Sequence, residues 1–241
     1  MEGIILEKEI ITGRGDIIYI YRKLVAGLTQ IESFDGWMIV RMEFKTGEKG
    51  FSILKDTGNN IKFIKMRKAY SVISANIIYN NIEYALIMDI VKPGSISGIN
   101  SSKAVMPAAG GADYVYLFTL KYTKDDIRGF IEAAGDSNPI HKADKPVVPG
   151  FLLFEDIILK ECGYKGTMDN MAAGYAVYFR NPVFAGDEVE VYRVNNGTGE
   201  IIALRDGILA MQAEIYGGSY GESIYSRRGK KLYRYREQHV P

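Results

Sequence analysis

The stretch Gly135-Asp136-Ser137-Asn138-Pro139-Ile140-His141-Lys142-Ala143-Asp144-Lys145-Pro146-Val147-Val148-Pro149-Gly150-Phe151-Leu152-Leu153-Phe154-Glu155 decides how this chain is read. Pro139 fixes its own φ and steers Asn138 away from helical geometry, so the first part is a loop. From Val147 to Leu159 the chain is apolar except for Pro149, Gly150, Glu155 and Asp156. That is the pattern of a buried helix whose start is marked by Pro149-Gly150. A carboxylate, Asp136, and an imidazole, His141, are thus expected on a loop beside the N-terminus of a buried helix. Free N–H groups at such an end suit a carbonyl oxygen that gains negative charge.

Working outward, residues 114–122 predict a strand, and Thr123 an N-cap for a helix to about Ala134 with Asp125 and Asp126 in its first turn. Beyond the helix expected to end near Gly163, strands are predicted over 175–184, 188–194, 200–205 and 209–216. Ala185-Gly186-Asp187, Asn195-Asn196-Gly197 and Asp206-Gly207 break them. The N-terminal part predicts a similar order. A strand over 3–11 precedes a helix capped by Asp16 and running to about Ser33, with apolar residues at three- and four-residue steps. Extended segments follow over 37–45, 51–54 with 61–73, and 77–91, with turns at Thr46-Gly47, Thr57-Gly58-Asn59-Asn60 and Asn80-Asn81. Residues 93–112, rich in Gly, Ser and Pro, read as a linker. The expected organisation is an α+β chain: 1–92 as a first unit, 93–112 as linker, 113–219 as a second unit carrying the polar loop, and 220–241 as a basic tail. In that tail charged and aromatic residues alternate; terminal segments of this kind are usually solvated extensions rather than nucleic-acid contacts.

The 241 residues are ample for a sizeable core, and a net charge of +1 advertises neither nucleic acid nor an acidic partner. The single cysteine, Cys162, excludes an intramolecular disulfide and lacks a base nearby in sequence, so it reads as structural. No apolar run is long enough to span a membrane, and the N-terminus does not read as a signal peptide, so the expectation is a soluble, cytoplasmic protein.

Gly135-Asp136-Ser137-Asn138-Pro139-Ile140-His141 resembles the catalytic loop of the MaoC-like (R)-specific enoyl-CoA hydratases, which have the hotdog fold. In that family the Asp and the His five residues later form the catalytic pair. Arg180-Asn181-Pro182-Val183-Phe184-Ala185-Gly186-Asp187-Glu188-Val189 is similar to the family's strand and Gly-Asp turn. The spacing of His141, Pro146, Pro149, Gly150 and Glu155 also resembles that of the β-hydroxyacyl-ACP dehydratases, where the His and the acid fourteen positions on are catalytic. There are departures. The hydratases have a longer segment between the His and the Pro-Gly, and the dehydratases' Phe-Pro-Gly after the His is Lys142-Ala143-Asp144 here. Together the two likenesses imply a double hotdog, two repeats of a long central helix wrapped by an antiparallel sheet, with one working and one degenerate half.

Taken singly, Gly-Asp-Ser-Asn-Pro is an ordinary turn and a loop histidine is ordinarily just exposed; their combination with the helix and the Gly-Asp turn makes a site. The resemblance implies a hydratase or dehydratase that interconverts 2-enoyl and 3-hydroxyacyl thioesters of coenzyme A or acyl-carrier protein. Asp136 would be the principal base, His141 would polarise water and shuttle its proton, and Glu155 is a candidate second acid or base. Gly150 N–H would hold the thioester oxygen, Asn138 would order the loop, Phe151 would meet the substrate, and Lys142 with Lys145 would meet the carrier's phosphates. No metal or redox cofactor, nucleic acid or membrane is called for, and a homodimer is compatible with this reading. The alternatives are a hotdog acyl-thioesterase and a non-catalytic acyl-binding subunit of a larger complex.

Overall fold

A computed structural model describes residues 14–29, 31, 34–49, 57–79, 82–93, 114–161, 174–194 and 200–216. The expected strand over 3–11, the body of the linker, Cys162 and the basic tail lie outside the described residues. Helix α1 (Arg14–Thr29) precedes β1 (Met38–Lys49), β2 (Thr57–Met66), β3 (Tyr70–Tyr79) and β4 (Ile82–Val91). Then come β5 (Tyr114–Lys121), α2 (Lys124–Ala134) and α3 (Gly150–Phe154), which continues as a π-helical segment, Glu155–Glu161. Strands β6 (Gly174–Phe179), β7 (Glu188–Val194), β8 (Ile201–Arg205) and β9 (Ile208–Tyr216) complete the order.

All the strands join one sheet in the order β2-β3-β4-β1-β6-β9-β8-β7-β5, and every pairing is antiparallel. The seam is β1 against β6, where Met42 faces Val177 and Phe44 faces Tyr175. Outward from the seam the first half runs β1, β4, β3, β2. The second runs β6, β9, β8, β7 and adds β5. Each half thus places the strands that follow its central helix in the same order. β5 precedes the helices of the second half and forms the edge of the sheet beside β7.

The helices carry the core. Ile17, Ile20, Tyr21, Leu24, Val25 and Leu28 repeat at helical spacing along α1 and are all buried. The α3 segment is apolar on nearly every side because it too is enclosed, with Phe154, Ile157 and Ile158 wholly buried. The rings of Tyr21, Phe44 and Phe154 meet between the helices and β1, with centroids 5.0 to 6.2 Å apart.

Several expected boundaries shift. Helix α1 starts at Arg14, ahead of the expected cap Asp16, and ends at Thr29 rather than Ser33. Thr57-Gly58-Asn59-Asn60 is not a turn: it lies in β2, and a register shift between Thr57 and Asn60 absorbs its irregularity. The chain turns instead at Arg67-Lys68-Ala69, where Arg67 N–H donates to Tyr70 O. Thr46-Gly47 likewise lies within β1, beside another register shift.

Candidate functional site

Local sequence places Asp136. Helix α2 opens on a capping box, in which the Thr123 hydroxyl accepts from Asp126 N–H and the Asp126 carboxylate accepts from Thr123 N–H. It closes on Gly135, whose φ of 66° is the left-handed conformation glycine adopts without strain. The chain folds back there, and Asp136 N–H donates to Ile131 O at 2.8 Å. Asp136 Oδ1 then accepts from Asn138 N–H at 2.9 Å, which leaves Oδ2 to face the imidazole.

His141 closes a single 3-10 turn begun by Asn138-Pro139. Its Nδ1 lies 2.7 Å from Val147 O. A carbonyl only accepts, so Nδ1 carries the proton. Burial holds the imidazole below its ordinary pKa, against the opposing pull of Asp136 and the Val147 carbonyl; nearby Lys142 acts in the same direction as burial. The ring is therefore neutral near pH 7, with a bare lone pair on Nε2. That nitrogen sits 3.7 Å from Asp136 Oδ2, and the two side chains are only 9% and 8% exposed. The separation is too long for a direct hydrogen bond. Two acceptors converge on one point, an arrangement suited to a molecule that donates two hydrogens.

The remainder of the loop is pinned from both halves. Asn138 Oδ1 accepts from Gly36 N–H at 3.0 Å, and its amide donates to Trp37 O at 2.9 Å. Val147 pairs with Phe184 in an isolated bridge, Val148 N–H donates to Val183 O, and Ala185 N–H donates to Pro146 O. The Gly186-Asp187 turn braces this join: Gly186 has φ 88°, its N–H donates to Tyr122 O, and Asp187 Oδ2 accepts from Phe184 N–H and from Arg205.

Asp136 and His141 open into a cavity of about 630 Å³ between the halves. Its apolar wall comes from Trp37, Ile39, Ile73, Met88 and Ile90 of the first half and from Phe151 and Phe179 of the second. Gly150 lines it where α3 begins, and a side chain there would crowd the Phe179 ring. A Cβ on Gly150 would stand 3.0 to 3.3 Å from the Phe179 ring.

Asp136, Asn138, His141, Gly150 and Phe151 are thus brought together as expected of one site. Three other candidates are not. Glu155 is absent from the cavity lining; its carboxylate is 1% exposed and takes a two-point contact from Arg22, Nε at 2.9 Å and Nη2 at 2.7 Å. The helix turns that side chain toward α1, so a role beside His141 does not fit its placement. Lys142 is exposed and Lys145 lies 3.8 Å from Asp187 and over the Phe184 ring at 4.7 Å; neither lines the cavity. Sequence reasoning missed Trp37, Arg41, Tyr178 and Arg180, all cavity residues. They lie on or just beside β1 and β6, strands whose pairing no local pattern announces.

A scan against protein-family models finds no match, and no curated protein matches the chain in sequence. Solved structures do match. HtdX from Mycobacterium tuberculosis is 14% identical, with 82% of this chain and 87% of that one covered at a TM-score of 0.57. Full-length peroxisomal multifunctional enzyme type 2 from Drosophila melanogaster is 14% identical, with 87% of this chain and 42% of that one covered at a TM-score of 0.50. A MaoC-like dehydratase from Phytophthora capsici is 11% identical over 78% of this chain and 71% of that one, at a TM-score of 0.49, and solved thioesterases match at lower scores. At these identities the likeness is one of fold.

Proposed function

We propose that this chain, which shares the hotdog fold, is a double hotdog that acts on acyl thioesters and hydrates a 2-enoyl thioester or dehydrates the 3-hydroxyacyl product. The repeated strand order on either side of the β1–β6 seam supports the double arrangement. The observation that carries the chemistry is the pair of acceptors, Asp136 Oδ2 and neutral His141 Nε2, converging 3.7 Å apart in a cavity wall.

A water held there donates one hydrogen to each acceptor, and its oxygen lone pair faces the cavity. That oxygen forms a bond to C3 of the enoyl thioester, and the C2–C3 π pair moves toward the thioester carbonyl. The oxygen that gains charge meets Gly150 N–H, a group at the start of α3 with no acceptor inside the helix. Asp136 takes the water's proton as principal base. His141 polarises the water and relays that proton toward C2, where the enolate is quenched. The reverse sequence expels water from the 3-hydroxyacyl thioester. Hydrolysis would use the same water against the carbonyl carbon and release free thiol.

The test is the enoyl-thioester absorbance of crotonyl-CoA and of longer enoyl chains, read beside a thiol reagent. The expected result is loss of absorbance without thiol release, abolished in both Asp136→Asn and His141→Ala. Thiol release would establish a thioesterase. Binding without turnover on any of these chains would leave an acyl-binding subunit.

A further inference from the structure

We infer that Arg180 and Lys92 form an anion clamp at the cavity mouth, which takes the phosphate groups of a phosphorylated thiol carrier. The inference rests on the reading of the cavity as an acyl-thioester site and moves carrier recognition away from Lys142 and Lys145.

Both residues line the cavity and both are exposed, which puts them at its rim. Topology sets their separation. Strands β4 and β6 flank β1 and run antiparallel to it, so their C-terminal ends lie at the same end of the sheet. Lys92 follows the end of β4 and Arg180 the end of β6. Two strand spacings, about 10 Å, lie between those ends, a gap a phosphate chain can bridge.

Arg180 is held for this role. Its backbone N–H donates to Ala210 O at 2.8 Å, and neighbouring Asn181 is tied by its side chain to Leu209 O. The guanidinium lies 5.2 Å from the centre of the Tyr178 ring. Arg41 lies 5.9 Å from the same ring, but its charge is already matched by Glu43 at 2.7 Å and Asp89 at 3.9 Å. Among the described residues neither Arg180 nor Lys92 has a carboxylate partner. A guanidinium stacked on an aromatic ring and left without a carboxylate is suited to a phosphate. Asp35 is the exposed acid on the lining. It belongs to the turn before β1, at the same end of the sheet as the two cations, and among the described residues it forms no ion pair with either.

Coenzyme A and carrier-protein phosphopantetheine both present phosphate, and the thioester of N-acetylcysteamine presents none. For the full-length protein we expect Arg180→Glu to raise KM for an enoyl-CoA about tenfold, the scale of one charge-assisted contact. The double variant with Lys92→Glu should raise it further. KM for the enoyl N-acetylcysteamine thioester should not move in either variant. A similar rise with the coenzyme A and carrier-protein thioesters would assign the clamp to the shared phosphate; a rise with coenzyme A alone would assign it to the nucleotide part. An unchanged KM for both carriers, or an equal loss on the phosphate-free thioester, would overturn the clamp. If the wild type turns over no thioester, the hydratase reading fails and the clamp is tested by titration calorimetry with coenzyme A itself. Binding weakened by Arg180→Glu would sustain the clamp, and identical binding would refute it.

Discussion

Replacing Arg22 by methionine tests how the two halves are joined and what Glu155 does. The guanidinium reaches from α1 to a carboxylate 133 positions away that has almost no access to water. Removing one partner of a buried pair costs about 3–5 kcal/mol, because the remaining charge stays desolvated. Arg22 itself is 60% exposed. Solvent therefore screens the contact and can approach the carboxylate once the guanidinium is gone, which brings the cost to about 2 kcal/mol. For a chain of this size that lowers Tm by about 4–8 °C in a calorimetric scan. Adding Glu155→Met should recover part of the loss, since the double variant no longer buries the charge that Arg22 had matched. Glu155→Gln should lower Tm yet keep kcat and its pH profile, because the side chain is turned away from the cavity. Loss of turnover in Glu155→Gln at unchanged Tm would refute this and return Glu155 to the chemistry.

The depressed pKa of His141 has a sign that can be checked. The unfolded chain takes up a proton near pH 6.5, while the buried ring resists it to lower pH. Stability from this group is therefore complete above pH 6.5 and lost as pH falls from there through the folded pKa. Denaturant midpoints across that range should decline in the wild type and flatten in His141→Asn, and the acid limb of turnover should follow the same titration. Lys142→Gln should raise the acid limb slightly, because Lys142 helps hold the ring neutral, and should leave KM unchanged; a raised KM would restore it as a carrier contact. Gly150→Ala should press a methyl group on the Phe179 ring, cost about 1–3 kcal/mol and raise KM as the cavity narrows, read by thermal shift and kinetics. Asn138→Asp keeps both acceptor contacts but turns an oxygen toward Trp37 O, so kcat should fall more than KM changes, with about 1–3 kcal/mol of stability lost in urea unfolding.

What the sequence made legible is mostly local. Thr123 and Asp126 announce their capping box across three residues, and the Asp136 and His141 loop is written in the turn chemistry of Asn138-Pro139. The break of helix at Gly135 follows from the same kind of short-range rule. What stayed hidden depends on partners far along the chain. The partner of Glu155 is Arg22, and Asn138 bonds to Gly36 and Trp37 about a hundred residues upstream. No pattern around Glu155 says that a cation awaits it, so an acid in an apolar helix reads equally well as a functional group. Turn-forming residues at Thr57-Gly58-Asn59-Asn60 misled for a related reason: pairing with β3 outweighs their local preference, and the irregularity survives as a shift in register.

On the proposed reading, these distant contacts explain how one loop can serve both halves. The pairing of β1 with β6 joins the two halves of the chain into a single sheet. The second half supplies Asp136, His141 and the start of α3, but it does not hold them alone. Asn138 fastens the loop to the turn before β1, Tyr21 donates its hydroxyl to Phe151 O at 2.8 Å, and Arg22 grips Glu155 at the point where α-helical winding gives way to π-helical. The first half therefore contributes a wall and three anchors. On the proposed reading the first half needs no acid and imidazole of its own, while α1, Gly36 and Trp37 hold the loop and helix of the second half. On this argument, substitutions at Tyr21 or Arg22 should disturb the second half's helix more than they disturb the first half's sheet.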